Sequence, residues 1–244
     1  MKESFRTLVV GVTGRRHIAP YALRAVEEST RAIFDFLAQV EDAQVVLETG
    51  LAIGADSLAA RAALDAKRRG AKLLLRAVLP MPQHDYSNDF KTTSEPGTPS
   101  ELDDFRALVD ACDDVVEIPI VERKTYGEFS REAHYAALGE RLVRESDLLL
   151  AYWSGDASKN KPGGTVDVVT RKLRAIATGA RGRVLSIATP ENFREKNPDG
   201  SKRFRPELID SPGACALDSG AFAPVASALE SLASALDVTL RRTE

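Results

Sequence analysis

Six short apolar runs punctuate the chain, at Leu8–Val12, Val45–Leu47, Leu73–Leu79, Val115–Ile120, Asp147–Trp153 and Val184–Ala188. They are nearly continuous rather than alternating, which is the pattern of strands covered on both faces of a parallel sheet. Between them the apolar positions recur at helical spacing. Leu23, Val26, Ile33, Leu37 and Val40 follow Pro20, a favourable first helical residue, and Ala59, Ala62 and Ala63 follow Gly54. Phe105, Leu108, Val109 and Cys112 follow a helix start at Ser100, Asp103 and Asp104, and Leu138 and Leu142 follow Arg131. Val166, Val169 and Leu173 mark another helix, and Val225, Leu229, Leu232 and Leu236 a last one. Strands alternating with helices predict an α/β fold: a Rossmann-like, doubly wound, mainly parallel sheet in three α/β/α layers. Pro119 would place the fourth strand near an edge, and the wholly apolar fifth strand suits the centre.

The polar breaks carry the chemistry. The first strand runs into Gly11-Val12-Thr13-Gly14-Arg15-Arg16-His17, in which the glycines permit a tight turn and the arginines offer forks suited to phosphate. The second runs into Glu48-Thr49-Gly50 and then Gly54-Ala55-Asp56, a strand, glycine loop and helix start of the kind that cradles anions. The fifth ends at Trp153 and leads through Pro162-Gly163-Gly164-Thr165 into a helix with Asp167 in its first turn. If the strands are parallel, the three loops share one carboxyl edge. The polar stretch from Gln83 to Pro99 follows another strand end and is a candidate lid, with Asp85, Tyr86, Asp89 and Phe90 offering acceptors and stacking surface. Arg131 and Tyr135, four apart on a helix, share a face and can reach one ligand together.

Length and charge narrow the classes. With 244 residues, a net charge of -3 and no apolar run of membrane-spanning length, the chain reads as one cytoplasmic domain with no membrane partner. That domain is expected to span residues 1–244, with a long irregular excursion at 189–218 and a C-terminal helix. The excursion is a candidate flap or oligomer contact, and a homodimer is expected. Its basic group Lys202, Arg203 and Arg205 reads as a solvated face. Cys112 and Cys215 stand far apart with no ligand pattern around them, so neither a disulfide framework nor a metal site is expected, and no cofactor is implied.

In the order of these loops the chain resembles the SLOG superfamily, the Rossmann-like group that joins the DNA-processing Smf proteins to the LOG-type nucleotide phosphoribohydrolases. The stretch from Glu48 to Leu64 looks like the SGLAxGxDxxAHxxAL motif of the first branch. Pro162-Gly163-Gly164-Thr165 looks like a shortened PGGxGTxxE motif of the second. Gly11–Arg16, Leu79-Pro80, Asp85-Tyr86 with Asp89-Phe90, and Ser146–Gly155 fit stand-alone or sensor-type members. In the phosphoribohydrolases the final glutamate of the motif, with an arginine from a preceding helix, carries hydrolysis of the N-glycosidic bond. Here the same interval lands on Val168, and the nearest carboxylate, Asp167, lies one position away, a rotation of about 100 degrees on a helix. No basic stripe with interleaved aromatics marks a single-stranded nucleic-acid track, and no nucleic-acid partner is expected.

The resemblance and the loops together imply a nucleotide-derived ligand, ADP-ribose-like or another nucleotide, bound by a sensor or ligand-binding module. The alternative is a hydrolase of nucleoside monophosphates or related N-glycosides. In that case Arg131 orients phosphate, and Asp167 or Glu48 stabilises the oxocarbenium-like ribose.

Overall fold

In a computed structural model the described residues are 6–93, 99–119, 130–154, 161–189, 206–210, 213–216 and 232–239. Their elements, in chain order, are β1 (Arg6–Gly14), α1 (Pro20–Leu37), β2 (Ala43–Thr49), α2 (Ala55–Arg68), β3 (Leu73–Leu79) and α3 (Gln83–Tyr86). Then come α4 (Glu101–Asp110), β4 (Asp114–Glu117), α5 (Arg131–Glu145), β5 (Leu148–Trp153), α6 (Thr165–Ala177), β6 (Arg183–Ala188), β7 (Pro206–Asp210) and β8 (Gly213–Ala216). The strands form one sheet in the order β4-β3-β2-β1-β5-β6-β7-β8. β1 through β6 pair in parallel, as the unbroken apolar runs require, and β7 and β8 add antiparallel strands at one end.

The chain builds outward from β1 to β4, then returns to lay β5 against the free side of β1. That reversal makes a switch point between the carboxyl ends of β1 and β5, where neighbouring loops diverge and open a crevice. Two apolar layers flank the sheet. One packs α1, α2, α4 and the helical residues 232–236 against Leu8, Val10 and Val12 of β1. The other packs α5 and α6 against Leu149, Ala151, Val78 and Val184. All six residues of β5 are buried, and Tyr152 directs its hydroxyl to Thr30 of α1 at 3.0 Å.

Several expectations are revised. β1 continues through Gly14 instead of turning at Gly11. Gly11 serves the close approach of α5, since a Cβ there would meet Ser146 at 3.1 Å and Leu142 at 3.3 Å. The Gln83–Pro99 stretch begins not as an open loop but as α3 and a 3-10 turn at Ser87–Asp89. Tyr86 is 1% exposed and meets Phe90 and Phe105 edge-on, so the aromatics anchor this segment to the body. Within the stretch expected to be an irregular excursion, residues 206–210 and 213–216 form β7 and β8. Of the last apolar stripe, Leu232 and Leu236 are buried, while Val225 and Leu229, like the Lys202–Arg205 group, lie outside the described residues.

Lys172, on α6, is 1% exposed, yet its Nζ donates to the Val143 carbonyl at 2.9 Å and the Ser146 carbonyl at 2.5 Å, with Arg181 O at 3.4 Å. It joins the end of α5 to the turn before β6. Lys172→Met would leave those carbonyls in an apolar seat without a donor, a loss of about 1–3 kcal/mol that a urea melt should register.

Candidate functional site

The switch point holds a cavity of about 580 Å3. Its floor is the end of β1, Val12 to Gly14; its walls are Leu138, Gly139 and Leu142 of α5 and Val168 of α6. Lys161 to Thr165, with Ala52, Asp56, Arg16 and Tyr86, complete the lining. Glycines set the close fit of the walls. A Cβ on Gly163, where φ is +70°, would lie 2.4 Å from the backbone of Tyr135, and one on Gly14 would lie 2.3 Å from the Ala55 Cβ.

The loop entering α6 offers the cavity a bare helix start. Gly164 occupies the N-cap and has no side chain to cap with, so the first amides of α6 have no side-chain acceptor from that position. Asp167 accepts from the Gly163 amide at 3.0 Å and from Arg171 Nε at 2.9 Å. It therefore folds the loop back on the helix and does not line the cavity, whereas its neighbour Val168 does, 1% exposed. One residue on a helix separates an apolar wall from a structural carboxylate, as the 100-degree rotation of about one position requires.

The glycine loop before α2 is differently constructed from the anion cradle that its sequence suggests. Asp56, 8% exposed, sits beside Thr49, Gly50 and Ala52 of this loop. The Leu51 amide donates to Thr49 Oγ1 at 3.2 Å, and the Ala55 amide to the carbonyl of Arg15 at 3.0 Å. The protein's own acceptors thus take the Leu51 and Ala55 amides of the loop. Gly54, with φ of +88°, lies over the Arg15 and Arg16 carbonyls and faces a neighbouring groove between α1 and α2. From this loop only Ala52 and Asp56 reach the main cavity.

A charged cluster forms the rim. Arg16 Nη2 donates to the Tyr135 hydroxyl at 2.9 Å and lies 3.6 Å from Asp89, whose carboxylate also takes the Tyr135 hydroxyl and Arg131. Arg131 and Tyr135 do share a face, but Asp89 is what they meet; of the two only Tyr135 lines the cavity. Burial, then the bond to Asp89, raises the Tyr135 phenol well above its usual range.

Other expected site residues lie elsewhere. Glu48, 1% exposed, is held by Arg76 at 3.0 Å and Arg141 at 2.9 Å, away from the cavity. Trp153 donates to Ser186 at 2.9 Å within the layer of α5 and α6 without lining the cavity, and Arg15 donates to Ser154 at 2.7 Å. Asp85, Gly11, Gly50 and Thr49 do not line the cavity either. Thr13, Gly14, Arg16, Asp56, Tyr86, Tyr135, Gly163, Gly164 and Thr165 do. Sequence reasoning missed Lys161, Glu132, Leu138 and Gly139. Lys161 directly precedes Pro162-Gly163 and was the most legible of them; Gly139 admits Val168 to within 2.8 Å of where a Cβ would sit, a contact between helices that no local pattern encodes. Among the described residues, no group of His, Cys, Asp or Glu is placed to hold a metal ion, and no helix is long and apolar enough to cross a membrane.

Asp56 is a buried carboxylate on the cavity lining. Burial pushes its carboxyl up to about 7, against the opposing pull of the Ala52, Thr49 and Gly50 hydrogen bonds and of Arg16. The folded chain therefore holds a proton there that the unfolded chain has already released above pH 4. Stability from this group is full below about pH 4 and is lost as pH rises to 7, with a slope of up to about 1.4 kcal/mol per pH unit. Asp56→Asn should flatten that slope in denaturant melts taken from pH 4 to 8, relative to the wild-type chain.

No family model matches the chain, and no curated protein matches it. Among solved structures it is similar to DNA processing protein A from Streptococcus pneumoniae, at 17% identity and a TM-score of 0.44, over 78% of this chain and 52% of that one, so the chain spans about half that protein's length. The molybdenum cofactor binding protein from Rippkaea orientalis matches at 18% identity and a TM-score of 0.40, over 77% and 80% of the two chains. DNA processing protein A from Helicobacter pylori, described for its single-stranded DNA binding mode, matches at 13% identity and a TM-score of 0.42, over 78% and 68%.

Proposed function

We propose that the chain is a ligand-binding or sensor module that takes a nucleotide-derived small molecule, ADP-ribose-like or another nucleotide, in the cavity at the switch point. The observation that carries the reading is the start of α6, without a side-chain cap, on the lining of a cavity of about 580 Å3. Helix N-termini favour anions through free amides and the dipole, and Lys161 and Arg16 add positive charge on the same cavity. The apolar surfaces of Val12, Leu138, Leu142 and Val168 suit the faces of a base or a sugar. The volume is that of a small-molecule site rather than of a track for a polymer.

A second reading, hydrolysis of an N-glycosidic bond, is favoured by one observation: Asp56 titrates near neutrality inside the cavity, as a general acid or base must. Two features weigh against it. The helical position that the resemblance gives to the catalytic glutamate is the apolar Val168. Glu48, Asp167 and Arg131 are all engaged by protein partners.

The pure protein should be incubated with AMP, ADP-ribose and NAD while melting temperature and free base are followed together. Binding without turnover predicts a raised midpoint with at least one of them and no release of base. Gly164→Val should abolish the shift, because even a Cβ there comes to 3.1 Å from the Lys161 carbonyl and a branched side chain would cover the first amides of α6. Steady release of base would replace the sensor reading with the hydrolase, and a melting temperature unmoved by all three would remove both.

A further inference from the structure

One carboxylate outside the cavity holds groups that line it. Asp89 stands on the 3-10 turn after α3, its side chain 14% exposed, and does not border the cavity. Packing fixes its seat: Phe90, the next residue, is buried and stacks on Phe105 of α4 with ring centroids 4.2 Å apart. Asp89 Oδ1 accepts from Arg131, whose Nη2 donates to the Asp85 carbonyl at 3.1 Å, and Oδ2 accepts from the Tyr135 hydroxyl. Both donors come from α5, one turn apart, so each oxygen of the carboxylate has its own partner.

The direction of the next bond follows. A phenol has one proton, and an ionised carboxylate can only accept. With that proton given to Asp89, the Tyr135 oxygen is left as an acceptor, and Arg16 Nη2 donates to it at 2.9 Å. The Arg16 guanidinium also lies over the Tyr135 ring, 5.8 Å from its centroid, and 3.6 Å from Asp89 Oδ2, an ionic rather than a hydrogen-bonded distance. A guanidinium carries five N–H donors. Among the described residues, Nε and Nη1 of Arg16 make no hydrogen bond. Arg16 and Tyr135 both line the cavity, but the Tyr135 proton is committed, so Arg16 is the member of the pair that can donate to a ligand.

We infer that Asp89 is a positioning residue: through the Tyr135 hydroxyl it holds the Arg16 guanidinium at the cavity, and Arg16 in turn selects ligands that carry an anionic group. The inference rests on the nucleotide reading above and names how that site tells a nucleotide from a nucleoside. An arginine on a free stem loses rotamer freedom when it grips an anion; one already held by a partner loses less, and the anion binds more tightly. Lys161 borders the cavity as well, so a preference for AMP over adenosine does not by itself report on Arg16. The dependence of the Asp89 effect on Arg16 does.

The test is calorimetric titration of AMP and adenosine into the full chain as wild type, Asp89→Asn, Arg16→Gln and the double variant. The wild type should bind AMP more tightly than adenosine. Asp89→Asn should weaken AMP about two- to tenfold, the range for one side chain that must be immobilised on binding, with adenosine affected less. In the Arg16→Gln background the same change should weaken AMP no further, because Asp89 reaches the ligand only through Arg16. Should Asp89→Asn not fold, Tyr135→Phe cuts the chain of bonds nearer Arg16 while keeping the ring, and its effect on AMP must likewise vanish without Arg16. Unchanged AMP binding, an equal loss for AMP and adenosine, or a loss that persists without Arg16 makes Asp89 an anchor of its own segment and overturns the inference. Equal binding of the two compounds by the wild type overturns it too and leaves the nucleotide reading standing. Binding of neither compound also overturns it, and the nucleotide reading is then decided by ADP-ribose and NAD in the melting measurement.

Discussion

The amide of Ala55 donates to the carbonyl of Arg15 at 3.0 Å, and much of the site depends on that one bond. It fixes the start of α2 directly against the end of β1, two segments that are adjacent only because β1 and β2 pair in parallel. The contact demands glycine on both sides. Gly14 leaves room for the Ala55 Cβ, and Gly54 lies beneath the carbonyls of Arg15 and Arg16 with a positive φ. With the two loops locked together, Arg16 is delivered to the rim and Asp56 to the depth of the same cavity. The glycines here permit close packing of the protein on itself.

This division explains what could be read in the amino-acid sequence and what could not. Strand runs, helix faces and the doubly wound parallel arrangement follow from apolar periodicity, because a strand covered on both faces must be apolar throughout, as Leu148–Trp153 is. The convergence of the loops after β1 and β5 follows from parallel pairing alone. The second loop misled for a physical reason. Gly50 and Gly54 in a strand-to-helix turn have the same composition whether the amides wait for a phosphate or turn to the protein's own acceptors, as Leu51 does to Thr49 and Ala55 to Arg15. Composition also cannot tell a charged residue that faces a ligand from one that bonds a neighbour distant in sequence. Glu48 meets Arg141 across 93 positions, and Arg131 meets Asp89 across 42. The β7–β8 pair escaped notice because Pro206–Asp210 and Gly213–Ala216 are short and lie in a polar, proline-containing stretch.

The switch point supplies the remaining logic. Because β5 returns to the free side of β1, α5 and α6 must both pass over the sheet at the same crevice, and they are brought close by Gly139 and Gly163. The resulting cavity is lined by apolar side chains of β1, α5 and α6 and by Arg16, Asp56 and Lys161.

The pair of arginines around Glu48 has a further meaning for the cavity wall. Arg141 belongs to α5, the same helix that contributes Leu138 and Leu142 to the cavity, and Arg131 at its start is drawn to Asp89. Both attachments are ionic and both arginines are partly open to solvent. The gap between α5 and the sheet is therefore set in part by charge, so dissolved electrolyte becomes one of the variables that govern how wide the crevice stands.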